Sequence, residues 1–269
     1  MSPEGPISSW SEFEAKIAEI KEKYAQSVTP IHYRGQADSA WKLETTLERH
    51  SRSLWTVEDY VKLALRCAPE IESFTNQRWD LMDNPQVKVE IQKRADDFIA
   101  HIPQLDFLIY LRHHGFPSPL LDWTFSPYLA AFFALSEAKE VENAAVFAYV
   151  KAPMGVEGGV AGAARIKPIG TVVRTHRRHF LQQATYTVCT EVKGGLDQGS
   201  PHVFVSHELV RKKASKRQDI VIKIDIPRTK RVDFLSRLNE SNINEFSLFQ
   251  SEEALMKTLA FREIEKARR

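Results

Sequence analysis

Residues 113–135, HHGFPSPLLDWTFSPYLAAFFAL, join two histidines and a proline-containing turn to a strongly apolar segment. Ser126 is a suitable helix N-cap and Pro127 a suitable first helical residue, because a serine oxygen accepts from an unpaired N–H group and proline has no N–H group to leave unpaired. No residue from Leu129 to Leu135 is polar. The segment therefore predicts a helix that is buried over most of its surface.

Asp122 lies between two large apolar residues, Leu121 and Trp123, directly before this helix. Burial of a carboxylate costs free energy unless the group is hydrogen-bonded or paired with a cation. We therefore expect Asp122 to brace the turn before the helix, to take part in catalysis, or both. His113 ends a predicted helix, where the helix dipole favours a charged imidazole, so a packing role is open for it beside a catalytic one.

The composition is that of an ordinary globular protein, with 269 residues, 43% of them hydrophobic and 27% charged. This length fits one large domain or two small ones, and we predict a single domain over residues 1–269 because the sequence contains no long linker. A net charge of +2 argues against general coating of nucleic acid, although not against a local basic site.

The cysteines and histidines give no metal or disulfide pattern. Cys67 and Cys189 are far apart in sequence, and His176 and His179 lack cysteine or carboxylate partners at useful spacing. The first ten residues lack the basic and apolar regions of a signal peptide, and no apolar run approaches the ~20 residues that cross a membrane. These features predict a cytoplasmic protein with no metal site and no membrane partner.

Hydrophobic periodicity predicts an α+β fold with a helical N-terminal half. A Ser-x-x-Glu capping box at Ser11–Glu14 indicates a helix over 11–26, and a short strand is predicted at 31–34, ending at Gly35. Helices are predicted over 56–100, with a break at 83–85, and over 103–114. The remaining predictions are strands at 144–150, 171–174, 181–191 and 220–226, and helices at 229–239 and 251–268.

Three segments together resemble the FRG domain family. The first is HYRGQADSAWKLETTLERH (32–50), with its Tyr33-Arg34-Gly35 signature, the second is 113–134, and the third is LQQATYTV (181–188). The family usually has Thr-Arg where this sequence has Ser118-Pro119, and glycine where it has Ala184. The resemblance implies one FRG-like domain in which the helical segment 56–114 is inserted between the first and second motifs.

The order of the three motifs is also similar to that of ADP-ribosyltransferases. This similarity implies a mixed or antiparallel sheet core of ADP-ribosyltransferase-like type and NAD as a substrate. By the same similarity, NAD would be held by Tyr33, Arg34 and Gly35 of the first motif. Its ribose would be held by Thr124 and Ser126 of the second motif. A ribose hydroxyl would be held by the side-chain amide of Gln182 or Gln183 of the third motif.

The chemistry of these residue types agrees with such a site. Gly35 lets backbone approach a planar ligand, and the guanidinium of Arg34 can bind two pyrophosphate oxygens at once. Cleavage of the bond to nicotinamide creates an oxocarbenium-like centre that a carboxylate or amide oxygen stabilises. We predict Asp122 as the general base rather than Glu191, which lies about 26 Å from Gln183 if the strand is extended.

Three functions remain open from the sequence. The first is an ADP-ribosyltransferase, as a toxin or antiviral defence effector with an antitoxin as partner. Its acceptor would be a macromolecule, and the basic runs Arg174–His179 and Arg211–Arg217 favour nucleic acid, RNA included, over protein. The second function is an NAD glycohydrolase on the same fold, and the third is a non-catalytic binding module. Basic runs are more often solvated faces than ligand sites, so the runs alone do not decide.

Overall fold

The fold is α+β and is built on an antiparallel sheet of seven strands. The computed structural model describes residues 5–93, 102–137, 140–155, 162–169, 177–194, 200–213 and 219–267. The strands are β1 (His32–Gln36), β2 (Leu121–Thr124), β3 (Asn143–Lys151), β4 (Arg165–Pro168), β5 (Ala184–Val192), β6 (His202–Phe204) and β7 (Asp219–Pro227). Their order is β4-β5-β2-β1-β3-β7, and β6 pairs with β5.

Helices cover the sheet and connect its strands. They are α1 (Trp10–Lys23), α2 (Thr46–His50), α3 (Val57–Thr75), α4 (Asn84–Lys93), α5 (Leu105–His113), α6 (Pro127–Leu135), α7 (Arg177–Leu181), α8 (His207–Lys213), α9 (Arg231–Glu240), α10 (Glu245–Phe249) and α11 (Glu252–Ala260). The predicted helical segment 56–114 thus contains α3, α4 and α5 in its described parts. None of the helices in the described ranges is long and apolar enough to cross a membrane.

The sheet consists of two halves that meet at one residue pair. β1 pairs with β3 over its whole length, from His32↔Tyr149 to Gln36↔Ala145. β2 pairs with β5 over its whole length as well. Between β1 and β2, by contrast, the described chain has the single pair Tyr33↔Thr124. Beyond this pair, the sheet therefore divides into two half-sheets that diverge from each other. They are β1-β3-β7 and β4-β5-β2.

Helix α6 lies directly on the backbone of β1. Ser126 caps α6 as predicted, accepting from the backbone N–H of Leu129 at 3.3 Å, and Pro127 is its first residue. A Cβ atom added to Gly35 would lie 2.0 Å from the carbonyl oxygen of Ala130 and 2.5 Å from the nitrogen of Ala134. The helix can approach the strand this closely only because the strand has glycine at the point of contact.

Hydrophobic cores lie on both faces of the sheet. On the face of α6, the helices α1, α6 and α9 pack on β1, β3 and β7, and the helices α3, α4 and α5 form a second cluster that includes Leu120, Tyr186 and Val188. On the opposite face, Trp123, Phe147 and Tyr149 pack with residues that include Val210 of α8. Strand β3, between these layers, buries side chains on both of its faces, which accounts for its nearly continuous apolar sequence.

Several predicted elements are confirmed with small shifts in their ends. Thr56 caps α3, strand 144–150 is β3, and the alternating isoleucines form β7. The capping box at Ser11 was wrong, since Ser9 caps α1 and accepts from Glu12 N. Ser9 and Glu12 form a second Ser-x-x-Glu pattern, so both starts satisfy the same rule. At the observed start, the carboxylate of Glu12 accepts from the backbone N–H of Ser8 at 2.8 Å and from its hydroxyl at 2.6 Å.

One predicted end is wrong in each of two strands, at Gly35 in β1 and at Gln183 before β5. β1 does not end before Gly35 but continues to Gln36, because Gly35 serves helix packing rather than a turn. The strand predicted over 181–191 begins only at Ala184, since Arg177–Leu181 is helical and Gln183 adopts a left-handed conformation with φ of 44°. The predicted strand at 171–174 lies outside the described residues.

The strands β2 and β4 and the helix α10 were not predicted, because each is short and has no clear period of its own. The predicted helix 251–268 is α11 only to Ala260, where a π-helical turn, Phe261–Glu265, follows.

Gly35→Ala should destabilise the protein by at least about 3 kcal/mol, because the new methyl group meets helix backbone that cannot rotate away. Gly5→Ala is the matched control, since a Cβ at Gly5 would meet no atom within 4 Å. Urea denaturation followed by circular dichroism measures both variants. Equal midpoints for the two variants would contradict the packing role assigned to Gly35.

Candidate active site at the junction of the half-sheets

A cavity of about 420 Å³ is lined by residues of β1 and β2, the two strands that diverge. Residues of α2, α5, α6 and β5 complete its wall. Arg34 and Gly35 of the first motif, Thr124 of the second and Gln182 of the third all line it. The volume lies within the range of pockets that bind small molecules. Three motifs that are far apart in sequence thus meet at one cavity.

The carboxylate of Asp122 is bound by Arg112 on both of its oxygens. Nε of Arg112 donates to Oδ1 at 2.6 Å, and Nη2 donates to Oδ2. The third nitrogen, Nη1, donates to Oγ1 of Thr46 at 2.7 Å. Burial opposes ionisation of Asp122, but the charge and hydrogen bonds of Arg112, with the charge of Arg34, outweigh it and lower the pKa of Asp122.

This ion pair bears on the predicted role of Asp122. A carboxylate with a lowered pKa and both oxygens occupied is a poor proton acceptor at neutral pH. It nevertheless remains charged, and 43% of its side chain is exposed, while Arg112 is only 11% exposed. Asp122 therefore presents a fixed negative charge to the cavity, and its role as general base stays a prediction that this pairing disfavours.

Arg34 reaches from β1 to β2 across the divergence. Its Nη1 donates to the backbone carbonyl oxygen of Asp122 at 2.7 Å. Its Nε is buried and has no hydrogen-bond partner among the described residues. Burial lowers the pKa of Arg34 to about 10, so the guanidinium is still charged at neutral pH. With Arg112 and Asp122, Arg34 gives the cavity wall a net charge of +1.

Tyr33 also lines the cavity and is almost completely buried. Its hydroxyl has no hydrogen-bond partner in the described part of the chain, and burial raises its pKa to about 12. An unpaired buried hydroxyl costs roughly 1–3 kcal/mol. This hydroxyl and Nε of Arg34 are thus two unpaired buried polar atoms on residues that line the cavity.

A chain of three side chains runs from the cavity wall to α7. The hydroxyl of Tyr186 lies 2.9 Å from Nε2 of His113 and 3.2 Å from Nδ1 of His179. Burial raises the pKa of Tyr186 and lowers that of His179. His113 and Tyr186 line the cavity, whereas His179 is buried behind them and stacks on the Tyr186 ring. The predicted catalytic residue His113 is thus part of a hydrogen-bonded chain.

The two predicted ribose-site residues of the second motif have structural contacts. Oγ1 of Thr124 donates to the carbonyl oxygen of Gln182 at 2.8 Å and accepts from the N–H of Ser126 at 3.2 Å. Ser126 caps α6 and does not line the cavity, whereas Thr124 does. Thr124 therefore ties the third motif to the second, and the predicted ribose contact fits Thr124 better than Ser126.

The two glutamines of the third motif occupy different environments. Gln182 lines the cavity, while Gln183 is exposed and lies outside the cavity wall. The carbonyl oxygen of Gln183 accepts from Phe125 N at 3.1 Å, which places the turn before β5. Glu191, the alternative base, forms an ion pair with Lys193 at 2.6 Å and does not line the cavity. Gln182 is thus the third-motif residue that the fold brings to the site.

Sequence reasoning missed Arg112, Thr46, Tyr186 and His179. Arg112 directly precedes the central segment, and the expectation that Asp122 needs a cation could have identified it as the nearest candidate in sequence.

Behind the cavity, Trp123 Nε1 donates to Oγ1 of Thr187 at 2.8 Å. Within the described ranges, no group of three or more His, Cys, Asp or Glu side chains is arranged to hold a metal ion.

Asp122→Asn should lower the free energy of unfolding by about 1–2 kcal/mol near neutral pH. This loss is smaller than the loss expected on breaking a fully buried ion pair, because Asp122 is partly exposed. The folded-state pKa of Asp122 is lowered, so its contribution is fully present above the unfolded-chain pKa of about 3.9 and disappears as the pH falls through the folded-state value. The two proteins should therefore converge in stability at low pH.

Urea denaturation at neutral pH and at about pH 3 measures this difference. Asp80→Asn, at an exposed carboxylate, is the control and should change stability little at either pH. A difference between wild type and Asp122→Asn that grows on acidification would show that Arg112 does not stabilise the charged form.

Comparison with known proteins agrees with the sequence motifs. Residues 29–143 match the family model of the FRG domain. This segment contains the first two motifs and ends before the third, at 181–188. No curated protein and no solved structure gives a significant match to the chain. The predicted resemblance to the FRG domain family is therefore confirmed for residues 29–143, the segment that matches the family model.

Proposed function

We propose that this protein binds NAD in the cavity between the half-sheets and transfers its ADP-ribose to a macromolecular acceptor. The observation that carries the proposal is the meeting of Arg34, Thr124 and Gln182 at one cavity. These residues belong to the three motifs whose order is similar to that of ADP-ribosyltransferases. The divergence of β1 and β2 around the cavity supports the assignment of an ADP-ribosyltransferase-like sheet as well.

The residues present fit the chemistry of NAD. Its pyrophosphate is an anion, and two guanidinium groups, those of Arg34 and Arg112, line the cavity with a single carboxylate. Nε of Arg34 and the hydroxyl of Tyr33 are buried polar groups without a partner in the described chain, so a polar ligand would relieve their cost. Aromatic side chains such as Phe116 offer apolar surface for a planar ring.

The roles of the side chains follow from the reaction. The bond between nicotinamide and ribose breaks, nicotinamide leaves with the bonding electrons, and positive charge develops on the ribose. Asp122, which is ionised at neutral pH because its pKa is lowered, stabilises positive charge, and the amide of Gln182 can hold a ribose hydroxyl. The acceptor nucleophile forms the new bond and loses a proton, and we assign the imidazole of His113, which lies in the cavity wall, as the group that accepts this proton.

NAD hydrolysis is the second candidate function. Asp122 is the one carboxylate in the described cavity wall, and Arg112 occupies both of its oxygens. Deprotonation of a macromolecular hydroxyl would therefore rest on His113 alone, whereas an oxocarbenium-like centre reacts readily with water. This observation favours a glycohydrolase over a transferase if no acceptor is bound.

Gln182→Asn should lower nicotinamide release from NAD by about 10²-fold, because the shortened amide no longer reaches the ribose hydroxyl. Gln183→Asn is the matched control, since the neighbouring glutamine lies outside the cavity and asparagine tolerates its left-handed backbone. Chromatography of nicotinamide measures release, and label retained on RNA, DNA or protein pools distinguishes transfer from hydrolysis. NAD binding without any nicotinamide release by the wild type would establish a binding module instead.

Arg34→Gln should weaken NAD binding by about 10- to 100-fold, because the pyrophosphate loses a bidentate cationic partner. Isothermal titration calorimetry measures the affinity, and thermal unfolding checks the fold. Arg66→Gln, at an exposed arginine of α3, should leave the affinity unchanged. Unaltered NAD affinity in Arg34→Gln with a large loss of stability would return Arg34 to a purely structural role.

A further inference from the structure

Helix α7 presents an aromatic side chain to solvent. Phe180 is 62% exposed, although phenylalanine is normally buried. Its neighbour His179 is buried on the other side of the helix and stacks on Tyr186 with ring centroids 5.7 Å apart. The Phe180 ring meets the His179 ring edge-on at 5.1 Å. The contacts of His179 thus anchor the helix and hold Phe180 outward.

Two arginines accompany this phenylalanine. Arg177 is exposed, and the guanidinium of Arg178 lies 5.6 Å from the centre of the Phe249 ring. We call Arg177, Arg178, Phe180 and Phe249 the α7 surface. The positive charge of Arg178 contributes to the lowered pKa of Glu253, after the hydrogen bonds of that carboxylate. The surface therefore combines positive charge with aromatic rings.

The α7 surface adjoins the cavity. Phe249 contacts Phe133 with ring centroids 6.3 Å apart, and Phe133 lines the cavity. Gln182, which also lines the cavity, follows Phe180 by two residues. A molecule bound along the α7 surface would therefore reach the mouth of the cavity without crossing the rest of the protein.

The chemistry of the α7 surface distinguishes among polyanionic partners. Surfaces that bind single-stranded nucleic acid combine basic groups for the backbone with exposed aromatic rings on which bases stack. An acidic peptide would pair with the arginines but would gain little from an exposed phenyl ring. A duplex would satisfy the arginines but keeps its bases stacked within the helix. The combination favours a single strand.

We infer that the α7 surface binds single-stranded nucleic acid, with a base stacked on Phe180 and backbone phosphates on Arg177 and Arg178. The inference rests on the proposed function in making this strand the acceptor of ADP-ribose. The binding itself requires no NAD. An adjoining nucleotide of the bound strand would then lie at the mouth of the cavity.

The test is the binding of fluorescein-labelled oligouridylate and oligo(dT), each of about 12 nucleotides, measured by fluorescence anisotropy without NAD. Phe180→Ala should weaken binding by about 10-fold, and Phe180→Trp should restore it, because stacking needs only an aromatic face. Phe74→Ala is the matched control, since Phe74 is 89% exposed on α3. Its affinity should equal that of the wild type.

Salt dependence tests the arginines separately. The double variant Arg177→Gln, Arg178→Gln should reduce the slope of log K against log salt by about 1.4, at about 0.7 for each phosphate that an arginine no longer neutralises. Equal weakening by Phe180→Ala and Phe74→Ala, or tighter binding of a matched duplex than of the single strands, would overturn the inference. Because NAD is absent, these outcomes are independent of nicotinamide release, which tests the proposed function.

Discussion

The contact between the backbone of β1 at Gly35 and the backbone of α6 is the constraint on which the site depends. It brings a helix to a strand at a distance that no side chain allows, and it thereby fixes where α6 begins. The cap at Ser126 and the hydroxyl of Thr124 lie immediately before that start, so their positions follow from it. Through Thr124, the third motif is attached to the same point.

The electrostatics of the cavity follow from the single pair that joins the half-sheets. Because β1 and β2 diverge after Tyr33↔Thr124, backbone groups of β2 lack strand partners on that side, and the side chain of Arg34 supplies a donor to one of them. That contact brings a second cation close to Asp122, which Arg112 already pairs. Sheet divergence therefore leaves a cationic cavity with a single fixed negative charge.

Local chemistry in the sequence predicted much of the fold. The cap and first residue of α6, the cap of α3 and the alternation of β7 follow from rules that involve only nearby residues. The co-location of the three motifs came from their resemblance to known families, not from spacing. The capping pattern could not decide between Ser9 and Ser11, because both serines satisfy it.

The site was harder to predict, because its contacts join elements far apart in the chain. The partner of Asp122 depends on how α5 is placed against β2, and the sequence indicated only that some partner was needed. Gly35 was interpreted as freedom to approach a ligand, whereas its missing Cβ is accounted for by the helix. Gln182 lines the cavity and Gln183 does not, because the backbone of Gln183 is left-handed. Hydrophobic periodicity in the sequence does not indicate such a conformation.

The hydroxyl of Tyr186, placed between two imidazoles, has a consequence for communication within the molecule. A hydroxyl has one hydrogen, so it can donate to His113 or to His179 but not to both at once. When it donates to one ring, the facing nitrogen of the other ring can bond to it only by donating. The hydrogen bond at His179, within α7, and the hydrogen bond at His113, in the cavity wall, therefore depend on each other through one hydroxyl.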